Sequence, residues 1–541
     1  MPTAVISAGS QSSGLQALLA GRDTRWYRGH LGRLNLVCLL LIITMMTNGF
    51  DGSMMNNLQT LPVWKSYFKN PEGSTLGLFN AIQSIGSLAG LPFAPYLNDF
   101  LGRRWTIFIG ASIMIVGVAM QTAAQNIGMF IGCRFLIGFG LSFAILAAPT
   151  LLTELAFPTH RAPLTSFFNA SWYVGSIVAA WSTYGTFHIN NNWAWRIPSL
   201  LQGIPSILQM LLIFTIPESP RWLMDKGKEE QARKVLVKYH AGGVEDDPLV
   251  EFELAEIRGA LQLEKEINKT TSWKSMFTKK GNLKRMRIII AIGFFSQWSG
   301  NGLVSYYLNL VLNGVGIKNA DQQLIFNGVL QVYNLGTATL GSLLVDRVGR
   351  RKLWLTSVGG MCISYTLWTI GSAEFAKSRL PAAADGNPLH PNKNAGNLVL
   401  GMIFFYYGFY NIAMSALLVS YTVEILPYRI RSKGLMVMQL CVSAALVLNQ
   451  YANPIALDKL DWKYYIVYTV FLAFEFVYLY FFAIETKGKD GILPLEEIAQ
   501  LFDGDDKTEE LRIAGVQQAT GEIADYDDQK AGQHIETVEK V

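Results

Sequence analysis

The sequence predicts an all-α polytopic membrane protein, with twelve transmembrane helices arranged as two pseudo-symmetric six-helix bundles. Three observations carry that expectation: the composition, a long succession of apolar runs, and the recurrence of the same polar motifs in both halves. Of the 541 residues 50% are hydrophobic and only 16% are charged, whereas an average soluble protein carries about 25% charged residues. An ordinary globular enzyme and a disordered chain are both excluded on that balance. The 45 basic against 40 acidic residues are too even to suggest a nucleic-acid partner.

Each apolar run is near the roughly 20 residues a helix needs to cross about 30 Å of hydrocarbon. The first half gives spans at 34–56, 76–97, 105–124, 128–149, 164–187 and 199–216, and the second half at 288–312, 323–345, 353–375, 398–425, 434–454 and 462–484. The chain therefore divides into an N-terminal tail (1–33), a first bundle (34–216), a charged linker (217–287), a second bundle (288–484) and a C-terminal tail (485–541). Helical patterning recurs in the linker at 229–239 and 249–264. The first apolar run starts too late and is too long for a cleaved signal peptide, and it is read as a retained helix. Cys38, Cys133, Cys362 and Cys441 all lie inside the spans, which fits helix packing and neither a disulfide scaffold nor a zinc ribbon.

Arg22, Arg25, Arg28 and Arg33 precede the first span, and Arg103, Arg104, Arg350, Arg351, Lys352, Arg429, Arg431 and Lys433 fill alternate short loops. The positive-inside rule puts these loops, the linker and both termini in the cytoplasm. Lys65, Lys69, Lys377, Arg379 and Lys393 fall on the other side. The sequon at Asn268 is then cytoplasmic and expected to stay unmodified, and the tail beyond Asp503 is polar, acidic and expected to be disordered.

The halves repeat one another. Asp99, Gly102, Arg103 and Arg104 follow the second span as Asp346, Gly349, Arg350 and Arg351 follow the eighth. Glu154, Pro158 and Arg161 follow the fourth span as Glu424, Pro427 and Arg431 follow the tenth. Such internal repetition is the mark of a duplicated six-helix unit. The charges of these motifs, Asp99, Arg103, Arg104, Glu154 and Arg161 with Asp346, Arg350, Arg351, Glu424 and Arg431, are expected to pair between helix ends as a cytoplasmic gate, the alternative being topology determination by the arginines alone.

Within the spans, Asp51 is an acid deep in apolar sequence, where a charge is costly unless paired or hydrated. Asn169, Gln297, Asn301 and Asn334 are amides that must be satisfied there. Trp172, three residues after Asn169, shares roughly its helix face. Amides beside aromatic rings suit a ligand that presents hydroxyls and apolar C–H faces; interhelical hydrogen bonding and plain packing are the alternative. Glu475 fits a second protonatable site or a polar contact within the bundle, and stays outside the expected site.

On these motifs the chain resembles the sugar porters of the major facilitator superfamily. The resemblance covers about residues 34–500 and includes Gly49-Phe50-Asp51, Arg134 to Gly138, Pro217-Glu-Ser-Pro-Arg-Trp-Leu223 and Glu485-Thr-Lys-Gly488. Ser296 to Gly302 with Tyr306 and Tyr307, Asn191 to Trp195, and Val423 to Tyr428 are similar to the fungal lactose and cellodextrin permeases. Ser296 stands where hexose carriers have a first glutamine, Asn169 where they have a glutamine, and their Gly-Pro-x-x-Trp stretch is absent from 415–421.

The resemblance implies the major facilitator fold, no cofactor or metal, and alternating-access transport of a small-molecule sugar across a fungal plasma membrane by a monomer embedded in the lipid bilayer. It implies Arg134 as the partner of Asp51 in proton coupling, a static ion pair being the alternative. It places Asn169, Gln297 and Asn334 at sugar-contacting positions, with Asn301 displaced by one residue from its counterpart. The expected activity is proton-coupled symport of a disaccharide or short oligosaccharide. A hexose or pentose facilitator and a transporter-like sugar sensor are the competing readings, and no motif of an enzyme is present.

Overall fold

The structure, a computed structural model, describes residues 18–19, 22, 24–27, 29–270, 273–378, 392–427, 430–487, 498 and 501–502. Its first half contains α1 (Gly29–Leu58), α2 (Gly73–Gly90 continued by Ala94–Leu101), α3 (Arg103–Thr122), α4 (Ile127–Leu155), α5 (Arg161–Thr186) and α6 (Trp193–Leu201 with Gly203–Leu212). The second contains α7 (Lys280–Trp298 with Asn301–Gly314), α8 (Ala320–Val348), α9 (Arg350–Ser378), α10 (Lys393–Tyr410, a π-helical turn Asn411–Ser415, and Ala416–Ile425), α11 (Arg431–Leu460) and α12 (Tyr464–Phe482). The all-helical, two-bundle fold class is the one expected.

Among the described residues eight helical stretches are long and apolar enough to cross a membrane, or nine when α2, bent by 48°, is taken as one span. One of them, Lys433–Phe482, holds both α11 and α12. The two helices outside that set, α5 and α9, are long enough at 26 and 29 residues but more polar. Their hydroxyls are absorbed locally: Ser171 and Thr183 in α5, and Ser364, Thr366 and Thr369 in α9, each donate to the carbonyl four residues earlier. A hydroxyl satisfied in this way costs little in an apolar setting.

The helices run beyond their apolar centres. α1 begins at Gly29 rather than 34, α6 at Trp193 rather than 199, and α7 at Lys280 rather than 288, because charged and amide residues at a helix end reach the interface without breaking the backbone pattern. Between the halves the expected linker helices form as Glu229–Tyr239 and Pro248–Thr270, flanked by short helices Pro220–Asp225 and Lys274–Thr278.

Because the spans alternate in direction, the start of α1, the linker and the arginine-bearing loops share one face, here the linker face; the other is the far face. At the far face the two halves are joined. Asn56 of α1 donates to Val304 O at 3.2 Å and accepts from Leu308 N at 3.1 Å, while Gln59 donates to Tyr306 O at 3.1 Å. Asn309 donates to Gln59 O at 3.3 Å, and Ser84 of α2 donates to Gln450 of α11 at 2.7 Å. The far-face loop of the first half is held by an aromatic cluster of Trp64, Phe68, Phe79, Phe130 and Trp195, all fully buried.

Candidate functional site: a central cavity and two linker-face charge networks

A cavity of about 880 Å³ lies between the halves. Its lining runs from Asn48, Gly52 and Ser305 at mid-height down to Pro95 and Lys433 at the linker-face ends of α2 and α11. With the far face bonded shut, the cavity opens toward the linker face.

Four of the expected ligand residues, Trp172, Gln297, Asn301 and Asn334, line it, as does Arg134. Asn169 does not: it is exposed on α5, a turn nearer the linker face than Trp172. Trp172 is set by helix packing, because a Cβ at Gly49 of α1 would lie 1.8 Å from the Trp172 carbonyl oxygen. The same close approach of α1 and α5 brings Gly52 under the indole. Gln297 and Asn301 flank the break in α7, where Gly300 takes the left-handed conformation at φ +103°.

The break frees carbonyls, and three tyrosines of α10 satisfy them. Tyr410 donates to Ser296 O at 2.9 Å, Tyr406 to Ser299 O at 3.0 Å and Tyr407 to Asn301 O at 3.1 Å. Asn301 in turn donates to the Tyr410 hydroxyl at 3.0 Å, and its side-chain oxygen is buried without a hydrogen-bond partner among the described residues. Across the cavity, Tyr173 of α5 donates to Asn411 at 2.6 Å, and Asn411 donates to Asn334 at 3.2 Å. Tyr173, Tyr407, Tyr410, Gln83, Gln331 and Gln450 also line the cavity. Sequence reasoning did not single out these six or Asn411; tyrosine in a span reads equally as core, and only the break at Gly300 shows that their hydroxyls have work to do.

Asp51 is wholly buried beside the cavity rather than in its wall. One carboxyl oxygen accepts from Gln202 of α6, while the other has no hydrogen-bond partner among the described residues. The expected contact with Arg134 is not made here: Arg134 donates instead to Phe79 O at 3.0 Å and to Gln83 at 2.5 Å. Those two bonds use Nε and Nη2 and turn the guanidinium toward Phe79 and Gln83 of α2. Gln202 and Gln83 are thus the partners that sequence reasoning missed. Glu475 of α12 is also fully buried, with neither oxygen hydrogen-bonded among the described residues.

At the linker face the duplicated motifs build the same network twice. Arg103 holds Glu154 through Nε and Nη2, each at 3.1 Å, and Arg350 holds Glu424 through the same atoms at 3.1 and 3.0 Å. The first residues of α3 and α9 have N–H groups with no helical acceptor. Glu218 accepts from Arg103 N and Arg104 N, both at 3.2 Å; Glu485 accepts from Arg350 N at 2.8 Å and Arg351 N at 3.1 Å. The preceding glycine is required in each case. Gly102 and Gly349 have φ of +92° and +99°, and a Cβ there would come within 2.7 Å of Glu218 Oε2 and 2.9 Å of Glu485 Oε2.

These pairs join helices of one half, not one half to the other. Arg104 and Arg351 donate to Phe214 O and Tyr480 O, each at 2.8 Å. Asp99 is exposed, with its backbone carbonyl accepting from the Trp222 indole, and Arg161 is exposed outside the network. Arg431 donates to Leu426 O at 3.4 Å. The Asp346 side chain lies outside the described residues. Glu218 and Glu485 were visible in sequence only as parts of flanking motifs; that both follow the last span of a half was the signal of a shared task.

A membrane body of two six-helix halves around a cavity lined by amides, aromatic rings and aliphatic side chains and sealed at one face is the body of a solute carrier. The Sugar (and other) transporter model matches residues 37–502, and the chain belongs to that family. It is therefore a sugar transporter of the major facilitator superfamily, moving its solute without chemical conversion. A high-affinity glucose transporter of Kluyveromyces lactis is 27% identical over 486 residues, covering 87% of this chain and 86% of that protein. An MFS-type transporter of Aspergillus oryzae is 30% identical over 431 residues, covering 77% and 75%. Among solved structures, the inward open conformation of the xylose transporter XylE from E. coli has a TM-score of 0.69 at 22% identity, covering 87% of this chain and all of that one (100%).

Proposed function

We propose that this protein is a proton-coupled symporter of a disaccharide or short oligosaccharide, of the lactose or cellobiose type, in a fungal plasma membrane. Its termini and linker face the cytoplasm, so the cavity described above is the inward-open one. The observation that carries the reading is the cavity lining: amides of Gln83, Gln297, Asn301, Gln331 and Asn334 alternate with the rings of Trp172, Tyr173, Tyr407 and Tyr410. Amides match sugar hydroxyls and rings match C–H faces. At about 880 Å³ the cavity is near the upper end of the roughly 300–1,000 Å³ of ligand sites, which leaves room for more than one sugar ring.

Coupling is assigned to Asp51 and Arg134. A buried carboxyl with a neutral amide on one oxygen and no hydrogen bond on the other among the described residues suits the proton-bound form, and a turn of Arg134 from Gln83 toward Asp51 would favour release. Sugar binding at Gln83 competes with Arg134 for the same amide, which links the two events.

A second reading, hexose transport, is favoured by the curated relatives, which are named as glucose and hexose transporters. Uptake of labelled lactose, cellobiose and glucose by cells lacking their own carriers, with and without a protonophore, tests both. Accumulation of a disaccharide that collapses with the proton gradient supports the proposal. Glucose uptake alone transfers the assignment to the hexose reading, and equilibration unaffected by the protonophore removes the coupling.

A further inference from the structure

A second cavity, of about 700 Å³, lies at the linker face between the start of α1 and the linker helix Glu229–Tyr239. Arg33, Arg233, Lys234 and Lys238 line it with His30, against the acids Glu230 and Glu245, so cations exceed acids by two. Lys234 is held by Glu230 at 2.9 Å, and Arg233 by Glu251 at 2.7 Å and Asp246 at 3.9 Å. Arg33 and Lys238 have no carboxylate within ion-pair distance among the described residues; Lys238 lies only over the Tyr239 ring. The first turn of α1 carries no acid, so its N–H groups add positive potential. A Cβ at Gly29 or Gly243 would meet no atom within 4 Å, whereas at Gly242 it would lie 2.8 Å from His30 Nδ1.

The surroundings favour a ligand with an apolar part. Arg33 stands at the head of a bilayer-facing ridge on α1, where Leu36 is 70% exposed and Leu39 46%. Trp26, stacked on His160 at 4.2 Å, and Tyr27, 76% exposed, precede the helix, and aromatic side chains at the end of a span commonly sit at the membrane interface. A free anion would use the cations and leave the ridge without a role, whereas a lipid uses both.

We propose that this cavity binds the phosphate-bearing headgroup of an anionic phospholipid, with its acyl chains lying along Leu36 and Leu39. Arg33 and Lys238 contact the phosphate, while Lys234 stays paired with Glu230 of its own helix and Arg233 with Glu251 of the next linker helix. Such a lipid would tie the linker to α1. The proposal is independent of which sugar is carried and of coupling.

The test uses the purified full chain in detergent. Dioctanoyl phosphatidylinositol 4-phosphate, dioctanoyl phosphatidylcholine and the free headgroup inositol 1,4-bisphosphate are titrated, with native mass spectrometry counting bound molecules and thermal melting reporting stabilisation. The expected result is saturable binding of the anionic lipid, and weakening by roughly ten- to thirtyfold in Arg33→Gln/Lys238→Gln. Lys226→Gln/Lys228→Gln, which removes the same charge where those lysines lie over the Trp222 ring, should bind as the parent does. Equal binding of phosphatidylcholine, equal binding of the free headgroup, or equal loss in both double variants would each overturn the proposal.

Discussion

The two halves agree at the linker face and differ at mid-membrane. At the linker face both use the same parts: a positive-φ glycine, two arginines opening a helix, one glutamate pairing the first arginine and another capping both N–H groups. At mid-height the first half buries an acid and a base near the cavity, Asp51 and Arg134 with Gln83 and Gln202, while the second buries the acid Glu475 away from the cavity wall and presents a broken helix whose amides are steadied by tyrosines. A helix start makes the same demands wherever it occurs, so a duplicated solution persists. Solute and ion make different demands, so the midplane is where duplicated halves are free to diverge. In the proposed reading the first half handles the proton and the second contributes most of the amides for the sugar.

The sharpest break in that comparison comes from exchanging the insults. Asp51→Asn should abolish uphill accumulation while leaving exchange of labelled for unlabelled sugar. Gln297→Ala should leave the accumulation ratio in place and raise the transport KM by roughly tenfold, the scale of one or two lost hydrogen bonds. If Gln297→Ala uncouples transport and Asp51→Asn only shifts KM, the division between halves fails.

Smaller effects test the symmetry of the charge networks. Removing one partner of a mostly buried ion pair costs about 3 kcal/mol or more, so Glu154→Ala and Glu424→Ala should each lower the thermal midpoint of the detergent-purified protein. Glu424 should be the more costly, because Thr486 also donates to it. Sugar selectivity should be unchanged in both, and a changed ratio of lactose to glucose uptake would place these residues in the solute pathway instead.

Much of this was legible in the sequence, for physical reasons that vary by residue. Apolar length marked most spans, and the repeated Gly-Arg-Arg and Glu positions announced the duplicated networks. The break in α7 was not anticipated, because Ser299-Gly300 is short punctuation inside an apolar run and only the φ of Gly300 reveals it. Partner identity was the least legible. Asp51 signals a costly buried acid, yet nothing local to it says that Gln202, 151 residues away, will be the donor. Asn169 shows the converse: a polar residue on the right helix, but one turn from the cavity wall.

The smallest predicted effect concerns pH and Glu218. Burial raises its carboxyl above the usual 4.5, and the N–H groups of Ser219, Arg104 and Arg103 together with the Arg104 charge only partly offset that. A carboxyl raised in the folded protein binds more protons there than in the unfolded chain between about 4.5 and its raised value. Stability therefore falls as pH climbs through that window and is level above it. Glu218→Gln keeps an acceptor for one N–H and removes the titration, so this contribution to the slope of thermal midpoint against pH should disappear, with a change at neutral pH of no more than about 1 kcal/mol. Glu485→Gln is the matched substitution, made at the same kind of helix start in the other half. A parent-like acid slope in Glu218→Gln would assign that slope to another group and leave the cap at α3 a purely geometric device.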